Sequence, residues 1–254
     1  MAAELALAVA AGLGIAVILA AIGHLPAGLG MAGAWCVIVA GVAVAARRWR
    51  VGSRFHAADR ITLVRGFATS LAAAAAVVAP DLSERLLWSL AAVAGLALIL
   101  DGVDGFVARR SGCATEFGAR IDREIDAFTV LVLAVLVWRL GRAEAWVLAA
   151  GGMRYAFVAA AAVWPWLAAP LPPSGRRRAV CALQIGALVA CLPPLLPSVF
   201  AEAVLAASVA VLGWSFLVDT LLLRRMAAAG PAIGAGFPAE AADDDAAAAQ
   251  KPRD

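Results

Sequence analysis

From Leu5 to Ala46 the chain contains no Asp, Glu, Lys or Arg. A membrane-crossing helix needs about 20 mostly apolar residues, so this one stretch holds enough for two. Gly23, Pro26, Gly28 and Gly30 break it near the middle, beside its only histidine, His24. The pattern predicts two helices, roughly 4–22 and 27–46, joined by a short turn. A cleaved signal peptide is the competing reading of the first, but such a segment starts with a basic region. Here Glu4 is the only early charge.

The rest of the chain matches that beginning. Of the 254 residues, 64% are hydrophobic and 15% charged. Soluble domains are nearer ~45–50% and ~25%, so both an ordinary soluble domain and a disordered chain are excluded. Every basic residue except Lys251 is Arg, and none falls in a run interleaved with aromatics. Nucleic acid is therefore not an expected partner. Cys36, Cys113, Cys181 and Cys191 form no CxxC pair and no zinc spacing, and read as packing residues.

A basic stretch over 47–59 contains Arg47, Arg48, Trp49, Arg50, Arg54 and Phe55. It reads as a juxtamembrane segment at an anionic surface or a plain stop-transfer cluster. Six further helices are predicted at about 60–79, 86–108, 117–138, 144–166, 178–196 and 201–223. Several have short charge-free windows and reach spanning length only by including charged residues at one end. The fold class is thus an all-α polytopic membrane bundle, a six-helix core over 60–225 after an N-terminal hairpin over 1–46. The remaining tail over 226–254, with Asp243, Asp244 and Asp245, is expected to be disordered. Arginines gather around 47–60, 109–123, 176–178 and 224–225, while Arg85, Arg139 and Arg142 fall between. The positive-inside rule then places both termini and the first group of clusters in the cytoplasm. Most tryptophans fall at helix ends, as in an aromatic belt.

The chemistry concentrates in residues 101–126, DGVDGFVARRSGCATEFGARIDREID. Asp101 and Asp104 are three apart near the end of one helix. Asp122 and Asp126 are four apart near the start of the next. Each pair shares a helical face. Counted from Cys113, Asp104 and Asp122 are equally distant and Asp101 and Asp126 nearly so, which in an antiparallel hairpin of neighbouring helices puts all four at one depth. Carboxylates in an apolar medium are costly and mutual repulsion raises their pKa values. A divalent cation relieves both, and an all-oxygen ligand set favours Mg²⁺, Mn²⁺ or Ca²⁺ over zinc. Mg²⁺ usually shares its shell with substrate phosphates. Gly102, Gly105, Ala108, Gly118 and Ala119 leave room for close approach of helices or of a ligand.

Asp101, Asp104, Gly105, Ala108, Arg109, Gly118, Asp122 and Asp126 fit the pattern DxxDGxxARx₈GxxxDxxxD. This pattern resembles that of the CDP-alcohol phosphotransferase (phosphatidyltransferase) family. The stretch from Asp59 to Arg65 resembles the start of the family's first core helix, where Asn is common at the position of Asp59. The resemblance covers about residues 58–225. It implies transfer of a phosphatidyl group from a CDP-linked donor, CDP-diacylglycerol for most bacterial members, to a small alcohol with release of CMP. It implies Mg²⁺ or Mn²⁺ held by Asp101, Asp104, Asp122 and Asp126, with Asp126 also the general base. Gly105, Arg109 and Thr115 match nucleotide-binding positions, with Ala108 and Gly118 making room, and Thr62 is placed with them. It leaves room for a homodimer in the bilayer.

Arg65 and Arg154 each interrupt an apolar helix, and an intramembrane arginine is a functional candidate. Arg176, Arg177 and Arg178 stand where the family often has Gly-Lys-x-Lys-Thr, and Gln184 keeps the Gln that follows. Arg65, Arg154, Arg176 and Arg178 are therefore candidates for the acceptor pocket. The alternatives are a member using another CDP-linked donor or a non-lipid alcohol, and a divalent-cation transporter. The second would need charges at several depths rather than one.

Overall fold

The computed structural model describes residues 2–21, 24–48, 57–110 and 116–228. Eight α-helices are present among them: α1 (Ala2–Ala21), α2 (Leu25–Arg48), α3 (Ala57–Val77), α4 (Glu84–Arg110), α5 (Glu116–Arg139), α6 (Ala149–Val163), α7 (Gly175–Ala190) and α8 (Ser198–Ala228). No strand occurs among the described residues. Most of the basic segment after Arg48 and the acidic tail beyond Ala228 lie outside them.

The ends of the helices follow local chemistry. Helix α5 closes on Gly141, whose φ of 68° suits a residue without Cβ. There the Gly141 amide donates to the Trp138 carbonyl and the Arg142 amide to that of Val137, at 2.9 and 3.1 Å. This crossed pair is a Schellman closure. Helix α6 is shorter than the pattern predicts. The flanks expected to belong to it are 3₁₀ turns, Ala145–Leu148 and Pro165–Ala168, and Pro165 cannot continue the helix. Helix α7 stops at Ala190 rather than near 196 because Pro193 and Pro194 follow.

Contacts between helices fix their directions. Helices α3 and α5 run parallel: Arg65 meets Asp126, Thr69 meets Thr129, and Arg139 donates to the Val77 carbonyl. Helix α2 is antiparallel to α3, with Gly30 beside Val77 and Gly66 beside Ile38. Helix α6 is antiparallel to α5, and α8 to α7. The largest core joins α3, α4, α5, α7 and α8 around Leu133, Leu136, Leu188 and Leu192.

Small residues bring the axes together, as expected where apolar surroundings give no hydrophobic drive between helices. A Cβ on Gly28 would sit 2.6 Å from the Ala16 carbonyl oxygen. One on Gly151 would sit 2.5 Å from the Leu131 Cα. The outer surface is apolar too. Val199 is 74% exposed, Val163 69% and Val17 66%, a surface suited to lipid. Among the described residues, Ala145–Val163 and Ser198–Ala228 are long and apolar enough to cross a bilayer.

The α5–α6 approach gives a direct test. Gly151→Val drives a side chain into the α5 backbone and should cost about 1–3 kcal/mol. Nothing lies within 4 Å of a Cβ on neighbouring Gly152, so Gly152→Ala should leave stability unchanged or higher. Thermal unfolding of both variants in detergent is the measurement.

Candidate active site

Helix α3 carries the polar residues that the apolar pattern makes costly, and it places them against α5. The Arg65 guanidinium is ion-paired with the Asp126 carboxylate, with side chains 7% and 19% exposed. One turn deeper, the Thr69 and Thr129 hydroxyls are 2.7 Å apart. Each also lies within hydrogen-bond reach of a carbonyl in its own helix, Arg65 at 2.9 Å and Ile125 at 2.8 Å. Two hydroxyls carry two protons, so when one proton lies between the threonines only the other reaches a carbonyl. The α3–α5 seam thereby meets its polar demand internally, as a low-dielectric interface requires.

Behind this seam is a cleft of about 30 Å³, large enough for a water molecule. Arg65, Thr69 and Thr129 form its polar wall, and Ala68, Ala72 and Ala97 are among its apolar wall residues. Its lining comes from α3, α4, α5 and α7. Among the described residues, α3 and α7 each pack against both α4 and α5.

On α4, the cleft residues Ala94, Ala97 and Leu98 are followed at helical spacing by positions 101, 104–105 and 108. On α5, Leu133 and Thr129 are preceded at the same spacing by positions 126, 122 and 118. Helical spacing alone relates these motif positions to the cleft residues of the same two helices. The backbone at Thr62, Asp101, Asp104, Gly105, Ala108, Arg109, Gly118 and Asp122 is helical, and their side chains lie outside the description; Thr115 lies wholly outside the described residues.

The other predicted residues are placed as follows. Arg154 is ion-paired with Glu124, two residues from Asp126. Its helix therefore brings it to the depth of the acidic end of α5, closer than a midway position in a 144–166 helix would. Its buried Nε has no partner among the described residues. Arg176 is held by α8: it donates to Asp219 at 2.5 Å and to the Ser215 carbonyl at 2.9 Å, and lies over the Trp214 ring at 5.5 Å. Arg177 also reaches Asp219, at 3.3 Å, and donates to the Pro172 carbonyl. Arg178 is exposed. Gln184 is fully buried, and neither end of its amide has a partner among the described residues.

Sequence reasoning missed Thr69, Thr129, Glu124 and Asp219. The two threonines had a readable signal, since they follow Arg65 and Asp126 at helical spacing. Glu124 and Asp219 had none, because their partners come from distant helices.

A model of the CDP-alcohol phosphatidyltransferase family matches residues 55–217, more than half the chain. The chain belongs to the CDP-alcohol phosphatidyltransferase family. The resemblance carried by the aspartate motif is borne out, and the matched region begins just before α3 and ends within α8. No curated protein and no solved structure matches at a significant level. Family membership makes the protein an enzyme that transfers a phosphatidyl group from a CDP-alcohol, in membrane-associated phospholipid synthesis.

In this CDP-alcohol phosphatidyltransferase, Asp219 is only 9% exposed and receives two arginines. Hydrogen bonds to charged groups contribute about 1.5–3 kcal/mol. Asp219→Ala should therefore lower stability by about that amount and loosen the start of α7, read by thermal unfolding and by proteolysis near 172–178.

Proposed function

We propose that the protein transfers the phosphatidyl group of CDP-diacylglycerol to a small alcohol and releases CMP, with its site facing the cytoplasm. The observation that supports this reading is the family match over residues 55–217, which contains all four motif aspartates, the last of them, Asp126, ion-paired with Arg65 across the α3–α5 seam. The donor's acyl chains stay in lipid beside apolar helix faces, and its diphosphate meets the polar end. An all-oxygen set from Asp101, Asp104, Asp122 and Asp126 suits Mg²⁺ or Mn²⁺, which when bound neutralises the diphosphate and the departing CMP.

The chain's own residues do the rest. Arg109 offers a planar donor fork to the donor's phosphates, and Gly105, Ala108, Thr115, Gly118 and Thr62 line the nucleotide's place. Asp126 accepts the proton of the acceptor hydroxyl as the acceptor oxygen bonds to the lipid-side phosphorus. The bond from that phosphorus to the oxygen of CMP breaks, and CMP leaves. Arg65 holds the Asp126 carboxylate in place until substrates arrive. Arg154 and Arg178, near the same end of the bundle, suit an acceptor that carries its own phosphate. Arg176 is engaged by Asp219 and serves first to anchor α7. The eight helices alternate across the bilayer with both termini in the cytoplasm, and two copies fit a homodimer.

The deciding experiment incubates purified protein with CDP-diacylglycerol, Mg²⁺ or Mn²⁺ and a panel of alcohols, and scores CMP. Release with one acceptor supports the reading, and none with any acceptor overturns it. Asp126→Asn should abolish turnover while folding and insertion persist. Asp101→Ala and Asp122→Ala should remove metal-dependent activity, as chelation with EDTA should. With a phosphorylated acceptor, Arg154→Gln should raise KM about ten- to hundredfold, the loss of a charge-assisted hydrogen bond.

A further inference from the structure

Helices α1 and α2 lie outside the residues that match the family, yet α2 packs along α3 and α1 packs on α2. Helix α2 also touches α5. At one end of this seam, Gly30 lies so near α3 that a Cβ would sit 2.6 Å from Val77 Cγ2. Met31, fully buried, packs in the same cluster as Ala74 and Phe67. At the other end, a Cβ on Gly66 would sit 2.9 Å from Ile38 Cγ2 and 3.5 Å from the Trp35 ring. Trp35 is 2% exposed. Its ring meets Phe67 edge-on at 5.9 Å and 84°. On its other side it presses on Gly12 of α1, where no side chain would fit.

Gly66 and Phe67 are the two residues that follow Arg65. If α3 rolled about its axis or slid from α5, these residues would run into Trp35 and Ile38. Trp35 is itself backed by α1. We propose that the N-terminal hairpin is a positioning brace: Trp35 and Ile38 fix the rotation of α3 and thereby hold Arg65 on Asp126. This rests on the reading of Asp126 as the general base. Trp35 and Ile38 touch no reacting atom and act through Arg65.

The test compares two truncations in the full-length protein. Trp35→Ala removes the brace beside Arg65. Met31→Ala removes buried volume from the same α2 face, farther from the ion pair. Misplacement at a distance from the chemistry can cost up to about a hundredfold in rate. Trp35→Ala should therefore lower kcat about ten- to hundredfold at temperatures where the protein stays folded, with KM for the donor little changed. Trp35→Phe should recover most of that loss, and Met31→Ala should lower Tm while leaving kcat unchanged. Equal kcat losses in Trp35→Ala and Met31→Ala, in step with folded fraction, would overturn the brace.

A second readout needs no turnover. The Tm coupling between Arg65→Gln and Asp126→Asn, measured as a double-mutant cycle, should shrink in the Trp35→Ala background and persist in the Met31→Ala background. Equal coupling in both overturns the brace. Lack of CMP release by the wild type would instead overturn the enzymatic reading and leave this cycle to decide.

Discussion

A carboxylate taken out of water must find a charge partner, and here that partner comes from a different helix. The pairing of Asp126 with Arg65 joins α5 to α3 at the end where the motif aspartates gather. It is an unequal kind of contact. A buried pair adds little net stability over an apolar substitute, whereas a lone member of the pair is expensive. Such a contact defines geometry more than it raises stability. The threonine pair below it continues the same seam, and Arg139 on the Val77 carbonyl closes it at the far end. Helix α3 is thus registered against α5 along its length.

The helices themselves were legible in the sequence. Apolar length, the glycine–proline break near His24 and the short charge-free windows located six of the eight to within about five residues at each end. The other two, α6 and α7, end early at Pro165 and at the Pro193–Pro194 pair, where hydrophobicity alone would extend them, and a 3₁₀ turn stands where α6 was expected to start. The aspartate motif and its family were legible too, because eight fixed positions in one short stretch form a local pattern. The cleft was not: its lining draws on α3, α4, α5 and α7, and spacing along the chain does not say which of these helices pack together. Depth along a helix has the same weakness: Arg154 could be assigned its level only from its contact with Glu124.

The arginines divide by what already holds them. Arg65 and Arg154 pair with acids of α5, at the acidic end of the site. Arg176 and Arg177 share Asp219 and tie the start of α7 to α8. Their position in the sequence, in one triplet with Arg178, gave no hint of this separation of duties. A guanidinium has five donors in a fixed fork, so one residue can serve as a tether through some of them. Fixing the start of α7 also fixes Ile185, which forms part of the cleft wall.

The walls that α3 and α4 give to the cleft are largely alanine: Ala68, Ala72, Ala94 and Ala97. Alanine has no χ angle. These methyl groups cannot swing aside to admit a larger guest, nor swing in to grip a smaller one, as leucine or methionine could. Along these alanines the bore is consequently a property of interaxial separation. Local adjustment falls to the longer side chains of the lining, Arg65, Leu98, Leu133 and Ile185, and widening on the alanine side must be a movement of whole helices.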